Sequence, residues 1–325
     1  MRLGFAGRSF AHPELKSHDS RRWQNRPHLS VSLVYLRDMM VWLARAGITM
    51  YRMSSELAPY ATHPSLPEFH NQVEECRSEL AAVGRLVIAA GLRVSIHVGQ
   101  HVVLSAPEPQ LVARSSDEVC STAALLDAMG LGAEAVLVSH IGGLYGDRDG
   151  SRERFTAAWS DLPAAARCRH VLENDDVCFS VEDTLLIHRE IGVRLVFDRL
   201  HHRLNNPAGL GERDALAACL ATWPPDVRPK VHFSSPRTEF NVDQRPAGVR
   251  PRIRAPRWHN HADYVNPFEF IDFVRQAEGL RPFDVMLEAG ARDLALLRLR
   301  RDLVRYAPDL ARRLEPQPAA LREEA

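Results

Sequence analysis

Short β-rich runs alternate with longer helix-patterned segments from end to end of the chain, and this alternation leaves few folds open. Eight runs stand out, over residues 2–6, 48–53, 92–97, 135–140, 169–174, 193–198, 230–234 and 284–288. Between them apolar residues recur at helical spacing, as in Leu33, Leu36, Met40, Leu43 and Ala44, or Leu80, Val83, Leu86 and Val87. Gly47, Gly91 and Gly192 stand just before three of the runs, where helix stops belong. Alternating β and α segments specify a parallel sheet, and eight such units predict a closed (β/α)8 TIM barrel. The length of 325 residues fits, because a barrel takes about 250 residues and the rest supplies loops and a tail. We expect one barrel domain over residues 1–314 and a disordered tail over 315–325, where Pro316 and Pro318 precede a charged end. Two loops are long, 7–27 and 235–260; the second, rich in arginine and proline, is expected to be extended, basic and exposed.

The chemistry lies in where the polar residues fall. Five runs finish at or near a residue able to bind a metal: His97, His140, Glu173, Asp198 and Glu288. The seventh run adds His232, His201 follows the sixth, and His261 lies in the loop before the next helix. In a barrel all strand C-termini meet at one face, where active sites are built, so these eight groups should converge. One histidine or carboxylate ending an apolar run is ordinarily a capped or hydrogen-bonded residue. Burying eight such groups together without compensation is prohibitive, whereas divalent cations make carboxylates and neutral imidazoles mutually favourable. Five histidines and three carboxylates suit zinc, manganese or iron better than calcium or magnesium. Glu173 and Asp198 come from adjacent strands and each has two oxygens to bridge ions, so the set can hold three cations. Such a cluster activates water and neutralises charge on the attacking and leaving oxygens of a phosphodiester. Lys230 precedes His232 by two and shares its face of the strand. It is either a barrel-interior lysine paired to a carboxylate or a group that orients a ligand or faces substrate.

Composition sets few further limits. The 41 basic and 41 acidic side chains balance, so no global charge marks a nucleic-acid binder. Only Lys16 and Lys230 are lysines; the remaining basic residues are arginines. The five cysteines are scattered, without a C-x-x-C pair, and read as reduced thiols. No apolar run approaches the roughly 20 residues of a membrane span, and the start has no signal-peptide pattern. A cytoplasmic protein is expected.

Eight ordered segments resemble the UV damage endonucleases, whose barrel and trinuclear metal centre are similar to those of endonuclease IV. They are Tyr51-Arg-Met-Ser-Ser55 with Pro59 and His63-Pro64; His97-x-Gly-Gln100; His140-Ile-Gly-Gly-Leu-Tyr-Gly146; Leu172-Glu-Asn-Asp-Asp176; Asp198-x-x-His-His202; Lys230-Val-His-Phe-Ser-Ser235; His261-Ala-Asp-Tyr264; and Val285-Met-Leu-Glu-Ala289. The resemblance implies that His97, His140, Glu173, Asp198, His201, His232, His261 and Glu288 hold about three divalent ions, typically manganese. Glu173, Lys230 and His232 would be the catalytic group, with Lys230 carboxylated in some members. His259 is an alternative loop ligand, and His202 a packing residue. The implied activity is incision of duplex DNA on the 5′ side of UV photoproducts, and often of abasic sites, leaving a 3′-hydroxyl and a 5′-phosphate. The implied partner is damaged double-stranded DNA, bound by a monomer at the nucleoid.

The substrate side departs from the family. Gln100 and His101 stand where a Gln-Tyr pair probes the lesion, and Val98 replaces a proline. Phe5 and Ser9 replace tyrosine and asparagine near the lesion, and Gly290 replaces a lysine for which Arg292 is a substitute cation. Tyr145 and the arginines Arg252, Arg254 and Arg257 complete the expected DNA-facing set. The alternatives are a barrel metalloenzyme redirected to another phosphodiester or to sugar isomerisation or epimerisation, and a non-catalytic damage binder.

Overall fold

Each of the eight runs forms a strand, shorter at its ends than the apolar pattern. The computed structural model describes residues 1–243 and 252–315. The barrel strands are β1 (Leu3–Ala6), β2 (Met50–Met53), β3 (Arg93–His97), β4 (Val136–Ser139), β5 (His170–Glu173), β6 (Arg194–Val196), β7 (Lys230–Phe233) and β10 (Asp284–Leu287). Between β7 and β10 lies a separate antiparallel pair, β8 (Asn241–Asp243) and β9 (Arg252–Arg254). All pairings in the large sheet are parallel, in the order β6-β5-β4-β3-β2-β1-β10-β7. The two end strands approach through a bridge between Asp198 and His232, where His232 N–H donates to the Phe197 carbonyl at 2.9 Å. The result is the expected eight-stranded barrel, nearly closed, with helices between the strands.

Strand alternation divides the apolar residues into two cores. Leu137, Leu172, Leu195 and Val231 face the helices and join the large outer core. Val136, Val138, Val171 and Val196 face inward and, with Trp223 and Val227, form a small inner core. Continuing the same parity along the strands brings His140, Glu173 and Asp198 inward just beyond it. The helix stops hold as expected: Gly192 has φ 74° and donates to the His188 carbonyl at 2.7 Å, closing the helix Val181–Ile191.

The floor of the barrel is ionic. Arg93 and Asp284 are fully buried and paired at 2.9 Å, and Asp284 also accepts from the backbone N–H of Arg2 at 2.8 Å. Trp223 packs beneath, with the Arg93 guanidinium 5.8 Å from its ring. Burial lowers the Arg93 pKa, and the Asp284 carboxylate opposes the shift.

Both long loops carry order of their own. The segment 235–260 holds the β8–β9 hairpin, which its proline-rich and arginine-rich sequence did not suggest. Loop 7–27 is pinned at its start: Asp293 accepts from Ser9 Oγ at 2.5 Å, Phe10 N–H at 2.7 Å and Ala11 N–H at 3.1 Å. Of the expected tail 315–325, Glu315 is held in place, accepting from the Met1 amine at 3.0 Å and from Arg228 at 3.0 Å, and 316–325 lie outside the described residues. The five cysteines are free thiols, and no helix among the described residues is long and apolar enough to cross a membrane.

Removing one member of a buried ion pair strands the other. Asp284→Ala is expected to destabilise the fold by about 3–5 kcal/mol, read as a lower urea midpoint; an unchanged midpoint would show that the floor does not rely on this pair.

Candidate metal centre

The predicted ligands meet at the C-terminal ends of the strands. His97 ends β3, His140 follows β4, Glu173 ends β5, His232 lies in β7 and Glu288 follows β10. Asp198 lies two residues past β6 and caps the helix Arg199–Leu204, its Oδ1 accepting from His201 N–H at 2.8 Å. That cap places His201 beside it. His261 arrives on the far side of the hairpin, through the Pro236–His261 bridge.

Backbone carbonyls orient the imidazoles. Nδ1 of His97 bonds the Val98 carbonyl at 2.8 Å, that of His140 the Glu173 carbonyl at 3.3 Å, and that of His201 the Asn174 carbonyl at 3.0 Å. With the Nδ1 proton so committed, His97 Nε2 faces Glu173 Oε2 at 3.0 Å. Two lone pairs cannot sit at that distance without a proton or a cation between them. Glu173 Oε1 lies 2.9 Å from His232 Nδ1, yet neither atom has hydrogen-bond geometry to any partner. His232 Nε2 and Asp198 Oδ2 are likewise buried without partners. Orphaned polar atoms of this kind are costly, and a shared cation would satisfy them.

The donor atoms fall into two overlapping groups, each with all atoms within 4.8 Å of one another: His97, His140 and Glu173; and Glu173, Asp198, His232 and Glu288. Glu173 belongs to both. His261 Nδ1 lies 3.8 Å from Glu288 Oε2, and its ring is 6.1 Å from that of His201. His259 is exposed, which favours His261 as the loop ligand. His202 is a packing residue, buried against Phe197 with Nε2 on the Leu210 carbonyl at 3.0 Å.

The electrostatics are those of an anionic site that draws in positive charge. Burial raises the Glu173 pKa, but the His232 and His140 imidazoles outweigh it and hold the carboxylate well below its ordinary range. For Glu288 the Arg52 guanidinium and His232 likewise outweigh burial and lower it. Burial lowers the His201 pKa, but Asp198, Glu173 and Glu288 outweigh it and push the ring up to about 9. His140 and His232 are lowered, chiefly by burial.

Three contributors were not assigned from sequence. Arg52, an inward residue of β2, ion-pairs with Glu288. Its signal was a charge inside an apolar run. Asn174 clamps β5 to the end of β6, donating to the Asp198 carbonyl at 3.1 Å while accepting from Asp198 N–H at 2.9 Å. Ser95 accepts from Lys230 Nζ at 3.0 Å. Lys230 is fully buried, and burial, with the Arg52 and Arg93 charges, lowers its pKa well below the ordinary value. It faces the ligands from inside the barrel and cannot touch substrate.

The DNA-facing set divides. Gln100 and His101, beyond β3, and Tyr145, beyond β4, are exposed; Arg254 and Arg257 are exposed on and after β9, and Arg252 lies in β9. A cavity of about 530 Å³ opens next to Gly99 and His101, lined also by Ser55, Tyr60, His63 and Arg114. Phe5 and Ser9 are corrected: both are buried and cannot contact a nucleotide. Phe5 points to the outer core, with ring contacts to Tyr51 at 5.3 Å and Trp42 at 6.1 Å, and Ser9 anchors its loop on Asp293. Arg292 is turned to β1, donating to the Ala6 carbonyl at 2.6 Å.

Comparison with known proteins places this architecture. The model of the UV-endonuclease UvdE family matches residues 18–311. A UV DNA damage endonuclease of Bacillus velezensis is 33% identical over 262 residues, 79% of this chain and 75% of that protein. The crystal structure of SacUVDE superposes with a TM-score of 0.78 at 28% identity, covering 94% of this chain and 98% of that one. Endonuclease IV from Thermus thermophilus shares the fold, with a TM-score of 0.55 at 15% identity over 94% of this chain and 100% of that one.

Groups that orient ligands typically contribute about 10–100-fold to metal affinity. Asn174→Ala is therefore expected to weaken metal binding by about 10-fold or more, measured by titration of the metal-free protein; unchanged affinity would show that the Asp198 backbone holds its place unaided.

Proposed function

This chain belongs to the UV-endonuclease UvdE family, and from that premise we propose that it is a metal-dependent DNA repair endonuclease cutting on the 5′ side of UV photoproducts. The products are a 3′-hydroxyl and a 5′-phosphate, and abasic sites are further substrates. One domain, residues 1–314, acts as a monomer on duplex DNA in the cytoplasm at the nucleoid. The observation that carries this is the pair of donor groups sharing Glu173, within a set of five imidazoles and three carboxylates. That set suits about three divalent ions, manganese first among them. Bound ions would supply an activated water and offset charge on both oxygens of the phosphodiester.

The protein's own groups do the rest. His97, His140 and Glu173 hold one side of the cluster, and Asp198, His201, His232, His261 and Glu288 the other. Arg52 keeps Glu288 anionic and in place, and Lys230, bonded to Ser95, lies beneath the ligands. Gln100 and His101, exposed beyond β3, fill the gap left when a damaged nucleotide leaves the stack, a displacement that is cheapest where stacking is already broken. Tyr145, Arg254 and Arg257 bear on the backbone. Histidine retains a flat ring for this work where the family has tyrosine.

The decisive experiment is incision of a labelled duplex carrying one pyrimidine dimer, beside intact and abasic duplexes, with manganese supplied and then chelated. Cutting immediately 5′ of the dimer, lost on chelation, is expected. Glu173→Gln should reduce cutting by at least about 100-fold with an unchanged circular dichroism spectrum, and retained activity would remove Glu173 from its bridging role. His101→Ala should lower the ratio of damaged to intact duplex binding by about 10-fold; an unchanged ratio would show that it is no probe.

A further inference from the structure

The β8–β9 hairpin is a built and exposed element, and the incision chemistry gives its apolar side chains no task. Its base is locked to the metal face. Arg237 N–H donates to the Asn260 carbonyl at 2.7 Å, Ala262 N–H donates to the Ser235 carbonyl at 2.8 Å, and Pro236 bridges His261. Beyond this base the strands pair in antiparallel register, Val242 opposite Ile253. Three large apolar side chains stand in solvent on this short arm: Phe240 at 66%, Ile253 at 65% and Trp258 at 59% exposure. Single exposed apolar residues are ordinary. Three on one locked arm, beside the exposed Arg254 and Arg257, form a surface with a definite chemistry.

Charge and topology say what that surface fits. Residues 235–260 contain six arginines against Glu239 and Asp243, in a chain whose charges balance only as a whole. Guanidinium groups pair with phosphates, while indole, phenyl and branched aliphatic side chains stack on bases or wedge between base steps. A purely acidic protein partner would leave the indole in water. The sheet order adds the geometry. With β6 and β7 closing the barrel, β3 and β7 are four strands apart in either direction. Gln100 and His101, after β3, and the arm, after β7, therefore stand on opposite rims of the metal centre.

We propose that the β8–β9 arm is a second DNA-contacting element, the far jaw of a clamp whose near jaw is Gln100 and His101. Trp258, with Ile253 and Phe240, stacks on or wedges between bases beyond the lesion, and Arg254 and Arg257 neutralise the adjoining phosphates. The duplex is thereby held bent over the metals from both sides. This rests on the DNA-endonuclease function proposed above.

The test compares wild type, Trp258→Ala, Ile253→Ala and Trp258→Phe, with Ile88→Ala, exposed at the end of the helix Arg77–Ala89 before β3, as a remote control. Binding and bending of a doubly dye-labelled duplex carrying one dimer are followed by energy transfer, and tryptophan emission reports stacking. Trp258→Ala and Ile253→Ala are expected to weaken binding by about 10-fold and to reduce the bend. The DNA-induced quenching of wild-type emission should be largely absent in Trp258→Phe, and Ile88→Ala should behave as wild type. Wild-type binding and bending by both alanine variants, with a wild type that binds and cuts, would overturn the arm's role and leave the endonuclease assignment standing. A wild type that binds no duplex would overturn both. A dimer that Trp258→Ala converts to monomer in sedimentation would make the arm a protein interface instead, and would also overturn the proposal.

Discussion

Closure of the barrel depends on the contact between Asp198 and His232. Seven of the eight junctions are ladders of parallel pairs; the junction of β6 with β7 is a bridge at these two residues, reinforced by the His232 N–H bond to Phe197. Both residues belong to the same donor group. The seam of the sheet and the candidate metal site are thus one object. A cation held there would tie β6 to β7 at the point where backbone pairing is sparsest, so metal binding and barrel closure would draw on the same free energy. Asn174, bonded to Asp198 in both directions, extends that tie to β5.

Much of this was legible because a barrel converts sequence order into position. Once the strands are found, alternation decides which residues face inward, and the ends of the runs name the ligands. All eight predicted ligands lie at one face for that reason. Arg52 and Asn174 escaped because their roles depend on a partner's location, Glu288 and the Asp198 backbone, and no spacing along the chain encodes it. The hairpin escaped because its strands have three residues each in a segment dominated by proline and arginine. Phe5 is the instructive error. Parity within β1 directs Gly4 and Ala6 inward and Phe5 outward, as the crowding of Gly4 against Met50 and Met286 shows. Resemblance alone had carried Phe5 to the lesion.

The departures from the family pattern have local structural consequences of their own. Val98 stands where a proline is usual, and its N–H, which proline lacks, donates to the Val138 carbonyl at 3.0 Å. This extends the β3–β4 pairing past His97 toward the exposed Gln100 and His101. At Gly290 any Cβ would lie 2.2 Å from Asp263 Oδ1, and Asp263 in turn pairs with Arg237 at 2.9 Å. Glycine there lets the loop carrying His261 close onto the strand end that carries Glu288. The changes on the substrate side are thus fitted into the backbone around the ligands.

Glu173, shared between the two donor groups, means that neither group can be filled independently of the other. A carboxylate drawn toward an ion in one group would already be fixed for the second, while its charge would be divided between them. By reciprocity, whatever factor the first ion applied to the affinity of the second, the second would return. The two groups would therefore titrate as a coupled pair, each reporting on the other.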